Sequence, residues 1–151
     1  MTDNFKIVPY EIQHGDEMIE FGLNDTLMDG DATFKENRID FAGAGLAYTL
    51  LDNNVPICSG GIIPTWLGNA QGWVISSKRI FRNKVKASRL IKERTDLLCT
   101  NNKIWRLQTA VKADFKVGFR FAQFLGFKNE GLMKAYGPDK TDYYRMARIY
   151  L

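Results

Sequence analysis

The sequence predicts an α/β (α+β) fold, a mixed sheet with helices on both faces, carried by one domain over residues 1–151. The first observation is a single helical stretch between two strand-like runs, 73–77 and 104–111. A one-helix connection joins parallel neighbours by a right-handed crossover. The second is a hairpin-like pair on either side of that unit, at 46–64 and 127–150. The third is bulk: 151 residues, 45% hydrophobic, with 10 Phe, 6 Tyr and 3 Trp, fill one core.

Taken in order, Phe5-Lys6-Ile7-Val8 reads as a first strand that Pro9 limits. Residues 10–23 are helix-like through Ile12, Met18, Ile19 and Phe21, with Gly15 weakening the middle or moving the start to Asp16. Residues 23–31 are turn-rich, and a second helix is expected over 32–42, ended by Gly43 and Gly45. Residues 46–51 and 55–64 form a hairpin about Asp52-Asn53-Asn54, because Asp and Asn tolerate the positive φ of tight turns. Gly60-Gly61 within it predicts a bulge or a close backbone approach. A loop with Trp66 covers 64–72, and a short strand covers 72–77.

A basic stretch leads into a helix over 87–99 with the stripe Ala87, Leu90, Ile91, Leu97 and Leu98, stopped by Asn101-Asn102. After the strand at 104–111 comes the clearest helix, 114–125. Phe115, Phe119, Ala122 and Leu125 recur at spacings of three and four, Phe121 and Phe124 widen the stripe, and Lys116, Arg120 and Gln123 face out. Asp114 is placed as its N-cap and Gly126 as its left-handed stop. Residues 127–136 and 143–150 close the chain as a hairpin about Gly137-Pro138-Asp139-Lys140, with Tyr144, Met146, Arg148 and Tyr150 on one face of the last strand.

Cys58 and Cys99 are too few and too far apart for a zinc site or a disulfide framework. They read as buried apolar residues in a reducing compartment, with no metal implied. Residues 1–10 lack a secretory pattern, and no apolar run approaches the ~20 residues that span a bilayer, so a cytoplasmic protein is expected. The net charge of +4 hides an asymmetry. Residues 1–60 carry 11 acids against three bases, a balance of −8, and residues 61–151 carry 18 bases against six acids, a balance of +12. Lys78, Arg79, Arg82, Lys84, Lys86, Arg89, Lys92 and Arg94 stand against Glu93 alone. Such a run is most often a solvated helix face. The functional readings are a phosphate-bearing cofactor or nucleic acid, and no base-reading motif supports the latter.

The element order resembles the GNAT superfamily of acetyl-CoA-dependent N-acetyltransferases, and Phe121-Ala-Gln-Phe-Leu-Gly-Phe127 looks like that family's late helix before its last strands. The resemblance implies a mixed, largely antiparallel central sheet. It implies that Ile75, Ser76 and Ser77 lie along the pantetheine arm of acetyl-CoA, and that the following loop holds the pyrophosphate. The family's loop pattern, Gln or Arg, two residues, Gly, one residue, Gly or Ala, is matched by Arg82-Asn83-Lys84-Val85-Lys86-Ala87. Successive amides at a helix N-terminus suit an anion there. Val85 stands in the glycine position, where a branched side chain opposes positive φ and close approach, with Lys84, Lys86 and Ser88 as partial compensation.

Catalytic residues match less. The family's tyrosine, four residues before the glycine, corresponds to Ala122. Its asparagine at the helix start corresponds to Asp114 or Phe115, and residues 55–77 contain no acid to serve as base. Tyr136, Tyr143 and Tyr144 are the candidate acids, and transfer is expected to be slow or to use an acid other than the usual tyrosine. His14 reads as an exposed or capping residue, and Trp66, Trp73 and Trp105 as core, with Trp66 a candidate pocket wall. The resemblance implies transfer of acetyl from acetyl-CoA to a primary amine of a protein or small molecule. A further similarity, to compact GNAT-like proteins of tailed bacteriophages, implies the alternative of a binding or structural part in the virion or host cytoplasm.

Overall fold

A computed structural model describes residues 4–22 and 46–150 of the chain. The expected helix at 32–42 and the turn-rich stretch before it lie outside the described residues. Strand β1 (Phe5–Pro9) is followed by α1 (Ile12–Phe21), β2 (Ala47–Asp52), β3 (Val55–Trp66), β4 (Asn69–Ser76), a 3-10 helix (Lys78–Asn83) and α2 (Lys84–Asn101). Then come β5 (Arg106–Lys112), α3 (Lys116–Phe124), β6 (Lys128–Met133) and β7 (Tyr143–Ile149). The strands of the described residues form one seven-stranded sheet in the order β1-β2-β3-β4-β5-β7-β6. All neighbours are antiparallel except β4 and β5, so the sheet is mixed and mostly antiparallel.

Alternation along the strands sends two sets of side chains to opposite faces. Ile62, Ala70, Leu107, Val111 and Met146 meet Leu98 and Cys99 of α2 and Ala122 and Leu125 of α3. Trp73 and Ile75, on the other face of β4, meet Met18 of α1 and Tyr10 just before it. Helix α1 starts at Ile12, two residues into the expected 10–23, because Glu11 and His14 form a capping box in which the Glu11 amide donates to His14 Nδ1 at 3.0 Å. His14 is thus the capping residue expected. Gly15 leaves the helix intact and is buried within it.

Asn53 and Asn54 close the β2–β3 turn at φ 50° and 66°. The Gly60-Gly61 pair is a close approach rather than a bulge: a Cβ at Gly61 would strike the Leu46 carbonyl and sit 2.8 Å from Ala47 Cα. The register shifts fall elsewhere, at Leu50/Leu51 and Pro64/Trp66. Strand β3 runs into the expected 64–72 loop as far as Trp66, and β4 begins at Asn69. Trp66 and Trp105 are therefore 69% and 51% exposed at the closed end of the sheet, and only Trp73 is core. The Trp105 ring fills the space where a Gly68 side chain would be.

Helix α3 begins at Lys116 with Phe115 as an N-cap that has no side-chain bond, so the cap expected of Asp114 is not made. Gly126 does end it, at φ 97°. Arg148 packs against that glycine, donates to Leu125 O at 2.5 Å and lies 3.6 Å from Asp96, which also accepts from Tyr150 at 2.9 Å. These bonds tie the ends of α2, α3 and β7 together.

Both cysteines are free and buried. Burial pushes the Cys58 thiol from its ordinary 9.0 up to about 12 and the Cys99 thiol up to about 11. Burial foremost, with the nearby Cys99 and Asp96, also raises Tyr150. In the unfolded chain these groups ionise first, while the fold holds them protonated. Their contribution is fully present below about pH 9 and is lost as pH rises above it, by about 1.4 kcal/mol per unit for each lagging group. Urea unfolding between about pH 8 and 11 is expected to show stability falling, less steeply in Cys58→Ala.

Candidate functional site

The site is the gap that opens where β4 and β5 part. They pair only through Asn69–Arg106, Ala70–Leu107 and Gln71–Gln108. Beyond these, β5 stays with β7 and β4 stays with β3, so the free edge of β4 from Gly72 onward faces the gap. The two strands are parallel neighbours, as the one-helix crossover predicts, and they splay at one end. Helix α3 follows β5 after a short turn and covers the gap, while α2 flanks it from the β4 side. Between them lies a cleft of ≈ 630 Å³.

Its floor is Val74 and Ser76 of β4. One wall comes from the 3-10 helix and the first turns of α2, with Phe81, Lys84, Val85 and Ser88. The other comes from α3, with Phe115, Gly118, Arg120, Phe121 and Phe124. Among the described residues, Lys78, Lys84 and Arg120 are the charged ones that line it. The first turn of α2 begins at Lys84 and brings the positive end of its dipole to the same wall. A cleft with apolar walls, three cations and a helix N-terminus suits a ligand with an apolar arm and a phosphate-rich end.

Of the sequence-predicted cofactor residues, Ser76, Lys84, Val85 and Ser88 line this cleft. Ile75 and Ala87 are buried in the core clusters on opposite faces of the sheet. Ser77 caps the 3-10 helix by accepting from the Arg79 amide at 3.3 Å. Arg82 and Asn83 end that helix beside the cleft rather than in its lining. Lys86 turns away, over the Phe5 ring at 5.3 Å. Val85 sits in the first turn of α2 with ordinary helical backbone, so the positive φ expected of the glycine position is not required here. Its side chain projects outward at 60% exposure and becomes part of the cleft wall.

None of the candidate tyrosines lines the cleft. Tyr143 is buried against Tyr136, ring centroids 5.2 Å apart. Tyr144 meets Phe119 edge-on at 5.4 Å, on the far flank of α3. Ala122 is fully buried and borders a separate inner cavity. Sequence reasoning missed the contribution of α3: Phe121, Phe124 and Arg120 were read as core stripe and solvent face. The usable signal was an apolar arc too wide for one helix packed on one sheet.

No protein-family model matches the sequence, and comparison with curated proteins finds no match. Solved structures do match over nearly the whole chain. A GNAT family acetyltransferase from Elizabethkingia anophelis with acetyl-CoA bound superposes at TM-score 0.74 with 18% identity, covering 99% of this chain and 100% of that one. Ard1 from Thermoplasma volcanium gives 0.75 at 15% identity, covering 97% and 98%. The ribosomal-protein-S18-alanine N-acetyltransferase from Escherichia coli gives 0.70 at 16%, covering 96% and 93%. The fold of this chain is the GNAT acetyltransferase fold. Among the described residues no helix is long and apolar enough to cross a membrane.

Proposed function

We propose that the protein is an N-acyltransferase that moves acetyl from acetyl-CoA to a primary amine of a protein or small molecule. The observation that carries this reading is the cleft at the β4–β5 divergence, with Lys78, Lys84, Arg120 and the α2 N-terminus on its walls. The free edge of β4 offers backbone groups to the pantetheine amides, and the cations offer partners to the phosphates. When bound, the thioester supplies an activated acyl carbon. The amine nitrogen forms a bond to that carbon, the carbon–sulfur bond breaks, the amine loses a proton, and the sulfur leaves as a thiolate. With Ala122 at the expected tyrosine position and none of Tyr136, Tyr143 and Tyr144 lining the cleft, transfer is expected to be slow or to use another acid.

The electrostatics of the two sheet faces support an amine acceptor. Helix α1, on the face opposite the cleft, exposes Glu11, Asp16, Glu17 and Glu20, whereas the cleft face carries the cations. This distribution favours an anionic donor on the cleft face and a cationic acceptor on the other face of the sheet. Calorimetric titration with acetyl-CoA and with desulfo-CoA tests the donor half. Saturable binding of both is expected. Binding of neither would remove the acyltransferase reading and leave a protein that uses the fold for something else.

A further inference from the structure

Behind the cleft lies a second cavity of ≈ 80 Å³. Val74 and Ile91 line both spaces, so the inner one adjoins the outer across these two side chains. Four of its lining positions carry almost no side chain: Gly60 and Gly61 on β3, Gly72 on β4 and Ala122 on α3. Its remaining walls are largely apolar, with Leu98, Leu107 and Leu125 among them. Resting on the acyltransferase reading above, we propose that this cavity is an acyl-chain pocket, and that the preferred donor is a coenzyme A thioester of a straight chain longer than acetyl.

A chain entering by the cleft with its phosphates at Lys84 and Arg120 runs inward along β4, so the acyl end is the part that reaches Gly72 and Ala122. Roughly 10–15 Å³ of such space holds one water-sized group, so the ≈ 80 Å³ here admits roughly five to eight of them, room for a hexanoyl chain. An acetyl group alone would leave most of it empty, and an empty apolar cavity costs stability. A bound chain offsets that cost. Each methylene buried there is expected to tighten binding roughly fourfold. The chemistry of transfer is unchanged: the carbon–nitrogen bond forms, the carbon–sulfur bond breaks, and only the chain on the acyl carbon differs.

The test is a calorimetric series on the intact protein with free coenzyme A, acetyl-CoA, butyryl-CoA and hexanoyl-CoA. Hexanoyl-CoA is expected to bind at least ~10-fold more tightly than acetyl-CoA, with butyryl-CoA between them. Ala122→Val places two methyl groups in the cavity and is expected to draw the hexanoyl-to-acetyl affinity ratio toward one. Gly72→Ala is a second filling variant, since its Cβ would meet the movable Leu107 side chain at 3.2 Å. Equal affinity of the wild-type protein for all three thioesters overturns the acyl-chain pocket and leaves coenzyme A binding standing. A preference for hexanoyl-CoA that both folded filling variants keep also overturns it, because the chain then lies elsewhere. Absence of binding by every compound overturns the acyltransferase reading and this inference together.

Discussion

Lys84→Glu combined with Arg120→Glu is expected to weaken coenzyme A binding by roughly 10–100-fold at low salt, the scale of losing hydrogen bonds to charged groups. The two residues come from different elements, α2 and α3, and both line the cleft. Reversing both turns an anion-attracting entrance into a repelling one. The loss is expected to shrink as ionic strength rises, because exposed charges are screened within about 10 Å at 0.1 M salt. Arg82→Glu, outside the lining, is expected to have a smaller effect. Titration at two salt concentrations checks both statements; equal losses for Arg82→Glu and for the double variant would move the phosphate site off the α2–α3 entrance.

The largest effect on stability is expected from Leu107→Ala, at about 2–5 kcal/mol in urea unfolding. Leu107 is 1% exposed in β5 and belongs to the cluster that joins the sheet to α2 and α3. It also borders the inner cavity, so its loss enlarges a void that already exists rather than opening one that can collapse. A loss below about 1 kcal/mol would show that the surrounding side chains close over the site, contrary to the packing described.

Local chemistry made much of the fold legible. Asn53-Asn54 at positive φ, Gly126 past the end of α3 and the Gly137–Lys140 turn each follow from what those residues permit in the backbone. The parallel relation of β4 and β5 follows from the single helix between them. The boundaries that slipped did so for tertiary reasons. Strand β4 starts at Asn69 because β3 pairs with it out to Trp66, a partnership no local pattern announces. Asp114 does not cap α3 because the helix begins two residues later, with Phe115 turned into the cleft wall.

The candidate site divides along the same line. A basic stretch before a helix beside a parallel strand pair, and an alanine where the family resemblance places a tyrosine in the late helix, are legible in the residues alone. Which cations meet the cleft depends on how the elements pack. Arg79 lies over Phe21 at 3.9 Å, Lys86 over Phe5, Arg94 over Tyr48 at 5.2 Å, and Lys92 pairs with Asp96 at 3.1 Å. Lys78 and Lys84 remain on the cleft and are joined by Arg120 from a helix that lies far along the chain. The physical reason is direction: a helix turns each successive side chain by about 100°, so neighbours in a charge run point to different partners. Which partners those are depends on what the sheet packs alongside.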